Sequence, residues 1–416
     1  MTTLTRATQR ELLADAKVAQ DEVALPEFGL VQQRVHRDTL TQADTDQILE
    51  LLRVAYNGGP AWYTLPVPPE DHWRWRYYDR PGPAGAALLR RVDDGRIVGL
   101  NMRAYLYWLV QGVPRRGNNG GDLAAHPDIQ GTGVQRASSD WRDAHREPDE
   151  QPEFALGLGA HPTSIHRAER RGAWMAGNQP ETWEYILDAR AALVDRRLPD
   201  EGELSGSKTT AAIYAGGKRI PRPWLARYAK LQARRLLARA RSPLYRPMRD
   251  LSWTIRTVET FPADIDTMLE EALAQFELVL LREHDYLNWR YCDHRAGPFT
   301  VRIAEEGDRI VGYAVTRAMA DRGELVDLLA LPGRTDVARS LVEDSIRLAR
   351  AAGAPTLRTW MMQHHPYQSI FPMIGFLRGD QWAHIRVRPE RQRFDMSFLR
   401  SPTAAVHLML GDTDTV

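Results

Sequence analysis

The chain repeats itself, and that one feature limits the folds open to it. Trp73-Arg74-Trp75-Arg76-Tyr77-Tyr78-Asp79-Arg80 returns 214 residues later as Leu287-Asn288-Trp289-Arg290-Tyr291-Cys292-Asp293-His294. Each block leads into a Gly-Pro, Gly82-Pro83 and Gly297-Pro298. Gly95-Arg96-Ile97-Val98-Gly99 answers Asp308-Arg309-Ile310-Val311-Gly312 at an offset of 213, and Gly121-Asp122-Leu123 answers Val326-Asp327-Leu328 at 205. His161-Pro162, Ser164-Ile165 and Gly172 answer His365-Pro366, Ser369-Ile370 and Gly375 at 204, 205 and 203. Order is kept and the offset drifts slowly, as two tandem copies of one domain of about 150 residues require. The expected division is an N-terminal extension (1–33), a first domain (34–199), a linker with a basic amphipathic helix (200–252) and a second domain (253–416).

Each copy reads as α+β with a mixed, mostly antiparallel sheet flanked by helices. Apolar spacing at Ile48, Leu51, Leu52 and Ala55 predicts an amphipathic helix over 43–55. Runs at 86–92 and 97–107 around an Asp-Gly turn predict a hairpin. Strands are expected at 121–125 and 154–159, with a helix from about Thr132. In the second copy, 265–281 reads as helix, and 300–304, 310–317 and 325–331 as strands. Helix 337–352 ends at Gly353 as its C-cap, and 357–362 is a further strand. Trp75 and Tyr77 alternate, as on one packed face of a strand or turn.

Composition narrows the function. The 416 residues carry 55 Lys+Arg against 54 Asp+Glu, which argues against a generally basic nucleic-acid coat. Only four of the cations are lysines, so Schiff-base chemistry has few candidates. Cys292 is the one cysteine, so neither an intrachain disulfide nor a Cys-based zinc site can form, and no metal is expected. Met1 to Gln20 is polar and no apolar run approaches the ~20 residues of a membrane span; a cytoplasmic protein is expected. The segment 218–249 holds eleven Lys/Arg and no acid. Arg227, Lys230, Arg234 and Arg241 near helical spacing fit an amphipathic helix with a solvated face, or an anionic partner such as RNA.

The stretch Asp122-Leu123-Ala124-Ala125-His126-Pro127-Asp128-Ile129-Gln130-Gly131-Thr132-Gly133-Val134-Gln135 carries the chemistry. It follows a strand and opens a helix. A glycine-containing turn there exposes successive backbone N–H groups, which with the helix N-terminus suit a pyrophosphate. Gly131 and Gly133 permit unusual dihedrals and close backbone approach. In the second copy the counterpart is Pro332-Gly333-Arg334-Thr335-Asp336, where the amide cradle is degraded and Arg334 could still take an anion.

With its Gln130-x-x-Gly133 core, this stretch resembles motif A of the GCN5-related N-acetyltransferase (GNAT) superfamily; Gln135 departs from the usual Gly or Ala. The Trp-Arg-Tyr blocks and the ending Leu408 to Asp414 are similar to those of tandem GNAT-like proteins. The resemblance covers roughly 34–195 and 253–414. It implies seven-stranded mixed sheets, with acyl-CoA in a V-shaped opening between the fourth and fifth strands. Leu123, Ala124, Ala125, Gln130, Gly131, Thr132, Gly133, Val134 and Gln135 would then hold acetyl-CoA or another acyl-CoA. Asp122 would be the fourth-strand base, with His126 as base or substrate contact. The family's proton-donating Tyr falls at Ala168 and Phe371, leaving His161 or His166 for that task. The expected activity is acyl transfer to a small amine, such as an amino sugar. The alternatives are an aminoacyl-tRNA-dependent transferase, since paired GNAT-like domains also occur in that class, and a non-catalytic GNAT-like binding protein.

Overall fold

The structure is a computed structural model. It describes residues 21–82, 84–118, 121–134, 137–138, 152–157, 169–188, 233, 236, 251–379, 384–389 and 394–413. Apart from two single positions, the basic segment 218–249 lies outside the described residues, as do His161, His166, Ala168 and Gln135.

The first repeat runs β1 (Asp21–Leu25), β2 (Leu30–His36), α1 (Gln42–Ala55), α2 (Pro69–Tyr77), β3 (Ala84–Arg91), β4 (Ile97–Val110), β5 (Val113–Asn118), β6 (Leu123–Ala125), β7 (Phe154–Gly157), β8 (Trp174–Met175) and β9 (Pro180–Ile186). The second runs β10 (Thr254–Val258), α3 (Ile265–Leu273), β11 (Leu278–Leu280), α4 (His284–Leu287), β12 (Phe299–Glu306), β13 (Arg309–Ala318) and β14 (Gly323–Ala330). It continues through α5 (Thr335–Ala351), β15 (Thr356–Met362), α6 (Ile370–Ile374), β16 (Leu377–Arg378), β17 (Arg386–Pro389) and β18 (Val406–His407). Helix α1 starts on a Thr41/Asp44 capping box and buries Thr45, Ile48, Leu51 and Leu52, the stripe its spacing predicts.

The two sheets exchange strands. The second sheet is ordered β10-β12-β13-β14-β15-β9-β16, so a strand of the first repeat lies inside the second sheet. The first sheet runs β1-β2-β3-β4-β5-β7-β17-β8, so a strand of the second repeat lies inside the first. The second sheet has the expected seven strands; the first has eleven, because β6 and β11 also pair with β4 and β18 pairs with β11. Only β5·β7, β14·β15 and β11·β18 are parallel among the described pairs. The register reproduces the sequence offsets: Gly99 opposes Ala125 as Gly312 opposes Ala330.

The repeated Trp-Arg-Tyr blocks mark a pseudo-two-fold contact between the halves. Trp75 and Trp289 stack at 5.0 Å and 19°. The indole N–H of Trp75 donates to the Trp289 carbonyl at 2.8 Å, and that of Trp289 to the Trp75 carbonyl at 3.0 Å. These blocks are helical rather than strand-like. Pro69 sits at the start of α2, and Trp73 and Tyr77, one turn apart, pack at 4.4 Å. In the second repeat the block forms one π-helical turn, Asn288–Cys292.

Two further corrections concern boundaries. The helix expected to reach Leu281 stops at Leu273, because Leu278–Leu280 joins the exposed edge of β4 at Trp108–Val110. The sheet also begins earlier than expected: β1 and the start of β2 occupy 21–33, read above as an extension.

His72 gives the fold a pH dependence. It is 2% exposed, stacks on Trp62 at 5.0 Å, and hydrogen-bonds through Nδ1 to the Arg295 carbonyl at 2.8 Å. Its Nε2 is buried without a partner among the described residues. Burial pulls its pKa from 6.5 to about 4. The unfolded chain therefore binds a proton first, and stability falls as pH drops from about 6.5 towards 4, by roughly 3 kcal/mol. Urea midpoints between pH 7 and 4 should show this loss, and His72→Phe should flatten it; an unchanged slope in the variant would contradict the assignment.

Candidate active site

Strand β6 is the fourth strand of the first repeat in the order the resemblance implies. Its ladder with β4 is fixed by Met102 N–H to Asp122 O at 2.9 Å and His126 N–H to Val98 O at 2.8 Å. In that alternation Ala124 faces Leu100 across the ladder, and Leu123 and Ala125 turn their backbone groups outward. Their carbonyls are occupied: Tyr56 Oη donates to Leu123 O at 2.7 Å and Gln130 Nε2 to Ala125 O at 2.9 Å. Their amides find no acceptor among the described residues. Ala124, one of the expected coenzyme contacts, is turned the other way; its side chain is 3% exposed in the core, and its backbone faces β4.

The chain preceding β6 pairs with β7 at Gly117·Phe154 and Asn118·Ala155, and no pairing of β6 with β7 follows among the described residues. The second repeat splays in the same way after Glu324·Arg358.

Beyond β6, the turn Pro127–Ile129 delivers the glycine loop. Gly131 and Gly133 have φ of 78° and 89°, and a Cβ at either would meet only open space. Backbone conformation is what demands glycine here. The amides of Gly131, Thr132 and Gly133 have no acceptor among the described residues, while Val134 N–H has only a 3.5 Å contact to Thr132 Oγ1. Helical bonding begins with Ala137 N–H to Gly133 O at 3.1 Å. Buried Ile129 and Val134 anchor the loop to Leu89 and Val98.

The expected acid–base residues are placed as follows. Asp122 is half-buried beside β6; its Oδ2 accepts from Tyr77 Oη at 3.0 Å, and that oxygen accepts from Asp122 N–H at 3.0 Å. His126 caps the turn: its Nδ1 accepts from Asp128 N–H at 3.3 Å and lies 3.2 Å from the Asp128 carboxylate. Asp128 is itself held by Arg91 at 2.8 Å. Tyr63 is pushed up to about 12 by burial and by the Asp122 charge, and Tyr56 is raised for the same two reasons. Sequence reading missed Tyr56, which ends α1 as an exposed aromatic and carries no signal in its own neighbourhood.

The second repeat closes each of these features. Leu328 N–H is capped by the Asp327 carboxylate at 2.9 Å. The Tyr367 hydroxyl accepts from Ala330 N–H and donates to Ala330 O, both at 2.9 Å. Arg334, expected to be able to take an anion, is instead committed to Glu306 at 2.8 Å and Asp336 at 3.2 Å, and lies over the Trp253 ring. The chain's own 406–412 segment packs against the splayed strands, burying Met409 and Asp412. Asp327 accepts from Tyr291 Oη at 3.1 Å, the counterpart of Tyr77 on Asp122. The Tyr–Asp clasp is thus common to both repeats, whereas edge amides without an acceptor among the described residues mark the first.

Comparison with known proteins bears on the fold. No protein-family model matches the chain, and no curated protein matches it in sequence. Among solved structures, yeast (Saccharomyces cerevisiae) N-myristoyltransferase with bound myristoyl-CoA and inhibitors superposes with a TM-score of 0.53 at 12% identity, over 90% of this chain and 86% of that one. An Enterococcus faecalis protein described as a probable N-acyltransferase gives 0.51 at 12% identity, over 86% of this chain and 72% of that one. A GCN5-related N-acetyltransferase from Kribbella flavida gives 0.49 at 13% identity, over 87% and 72%. The chain shares the overall fold of N-myristoyltransferase and of the Enterococcus faecalis protein.

Proposed function

We propose that the chain is an N-acyltransferase that takes an acyl group from acyl-CoA, bound at the first repeat, and passes it to an amine. The observation that supports this best is the contrast between repeats. Among the described residues the amides of Leu123, Ala125 and the 131–133 loop have no acceptor, while the edge amides at Leu328 and Ala330 are capped and Arg334 is already paired.

Acyl-CoA brings an activated thioester. The loop amides suit its diphosphate, since backbone N–H groups at a helix start favour anions. The amides of Leu123 and Ala125 are fixed donors, already oriented before reaction, for an oxygen that gains negative charge as the amine adds. Tyr56 and Gln130 hold the two intervening carbonyls, which keeps the edge rigid. Asp122 directly precedes this strand, and its carboxylate can take a proton from the attacking amine directly or through water. His126 positions the turn through Asp128. The acceptor is a small amine, and acetyl is the simplest acyl group.

The test is release of free thiol from acetyl-CoA in the presence of an amine panel, amino sugars included. Amine-dependent release that drops about a hundred-fold in Asp122→Asn fits a base at this position. No thiol release with any amine or acyl-CoA would overturn the reading.

A further inference from the structure

The two repeats differ in one built feature: β1 and the turn after it have no counterpart before β10 among the described residues. This addition belongs to the repeat with the open amides. Leu25 and Leu30 bury themselves in one small apolar cluster with Ile129 and Val134 of the glycine loop, and Phe28 packs against it. The turn is also tied to the β3–β4 hairpin, through Val92 N–H to Gly29 O at 3.1 Å. Between turn, hairpin and loop lies a hollow of about 690 Å³, lined by Phe28, Leu30, Val92, Ile129, Arg91 and Thr132. That volume is in the range of small-molecule sites. Thr132 belongs both to this hollow and to the loop with the unpaired amides, so the two are continuous.

We propose that this hollow seats the adenine of the coenzyme, an inference that rests on the acyl-CoA reading above. Adenine has two apolar faces and an exocyclic amine that donates hydrogen bonds. Phe28 and Val92 supply apolar surface, and Val92 is 65% exposed, an unusual position for a large apolar side chain. The carboxylates of Glu27 and Asp93 border the same space, matching an amine donor and disfavouring a phosphate. Asp128, which also lines the hollow, is held by Arg91 at 2.8 Å and by Arg96 at 3.6 Å. The N-terminal hairpin is thus a nucleoside-binding addition to one repeat.

The experiment is calorimetric titration of wild type, Val92→Glu and Phe28→Ala with two ligands: acetyl-CoA and acetyl-4′-phosphopantetheine, which lacks the nucleoside. Val92 is exposed, so its substitution leaves the fold intact, which a melting curve checks. The expected result is a loss of about ten-fold in acetyl-CoA affinity in both variants, with the truncated ligand bound as in wild type. Wild-type affinity for acetyl-CoA in both variants would overturn the hollow as the seat and leave the transferase reading standing. An equal loss for both ligands would also overturn it, since the effect would not depend on the nucleoside. Failure of wild type to bind either ligand would overturn the transferase reading and this proposal together.

Discussion

Gly133→Val is expected to weaken acyl-CoA binding by about a hundred-fold or more, with little change in the melting temperature. Gly133 holds φ at 89°, where an L side chain is strained by about 1–3 kcal/mol. Its Cβ would meet nothing among the described residues, so the damage comes from the backbone. The strain is relieved by turning the peptide planes, which points the amides of 131–133 away from a common anion. Each charge-assisted hydrogen bond lost costs about 1.5–3 kcal/mol, and two suffice for the stated factor. Gly131→Ala should act in the same direction. In contrast, Gly333→Ala in the second repeat should leave binding alone although its φ is 77°. Calorimetry with acetyl-CoA checks all three; undiminished affinity in Gly133→Val would contradict the loop as diphosphate site.

The largest stability effect is expected at Arg282. Its side chain is fully buried and reaches Asp327 at 3.2 Å and Asp412 at 2.8 Å. Burial opposes the charge, but the two carboxylates hold the guanidinium firmly protonated. Burial also pushes the Asp412 carboxyl up, while Asp327 stays well below the ordinary range, held down by Arg282 against its own burial. Arg282→Met would leave two buried carboxylates without a cation, at a cost of about 3–5 kcal/mol. Urea unfolding at pH 7 measures this. The combined change Arg282→Met, Asp327→Asn, Asp412→Asn should recover much of the loss, because the charges then disappear together. A single variant within 1 kcal/mol of wild type would show that the network contributes little. The same network packs the C-terminal segment against the second repeat's splayed strands, so loosening it should also raise proteolysis near 404–413.

How far the sequence foretold this differs from residue to residue. The duplication was legible because matched blocks keep their order, and the strand register repeats the same offsets. The glycine loop was legible because a positive φ leaves few residue choices. The run Leu278–Leu280 was not: an apolar triplet fits the end of a helix as well as a strand, and only the free edge of β4 decides. Nor was the strand exchange, since β9 and β17 have the composition each repeat's own sheet would want. Trp75 and Tyr77 alternate in sequence, yet Pro69 starts a helix through them; the pairing of Trp75 with Trp289 depends on the second repeat. Asp122 and Asp327 match in sequence, but the use of the next amide as an open donor in one and a capped one in the other is a tertiary fact. Tyr56 is the plainest omission, because its only described side-chain hydrogen bond is to a carbonyl 67 residues away.

The most direct measurement is backbone hydrogen–deuterium exchange, residue by residue, with and without acetyl-CoA. Protection should appear at Leu123, Ala125 and Gly131–Gly133, with Leu328 and Ala330 unchanged because they are already bonded. Protection centred on 328–334, or no change at Leu123 and Ala125 under saturating ligand, would contradict the assignment of the first repeat as the acyl-CoA site.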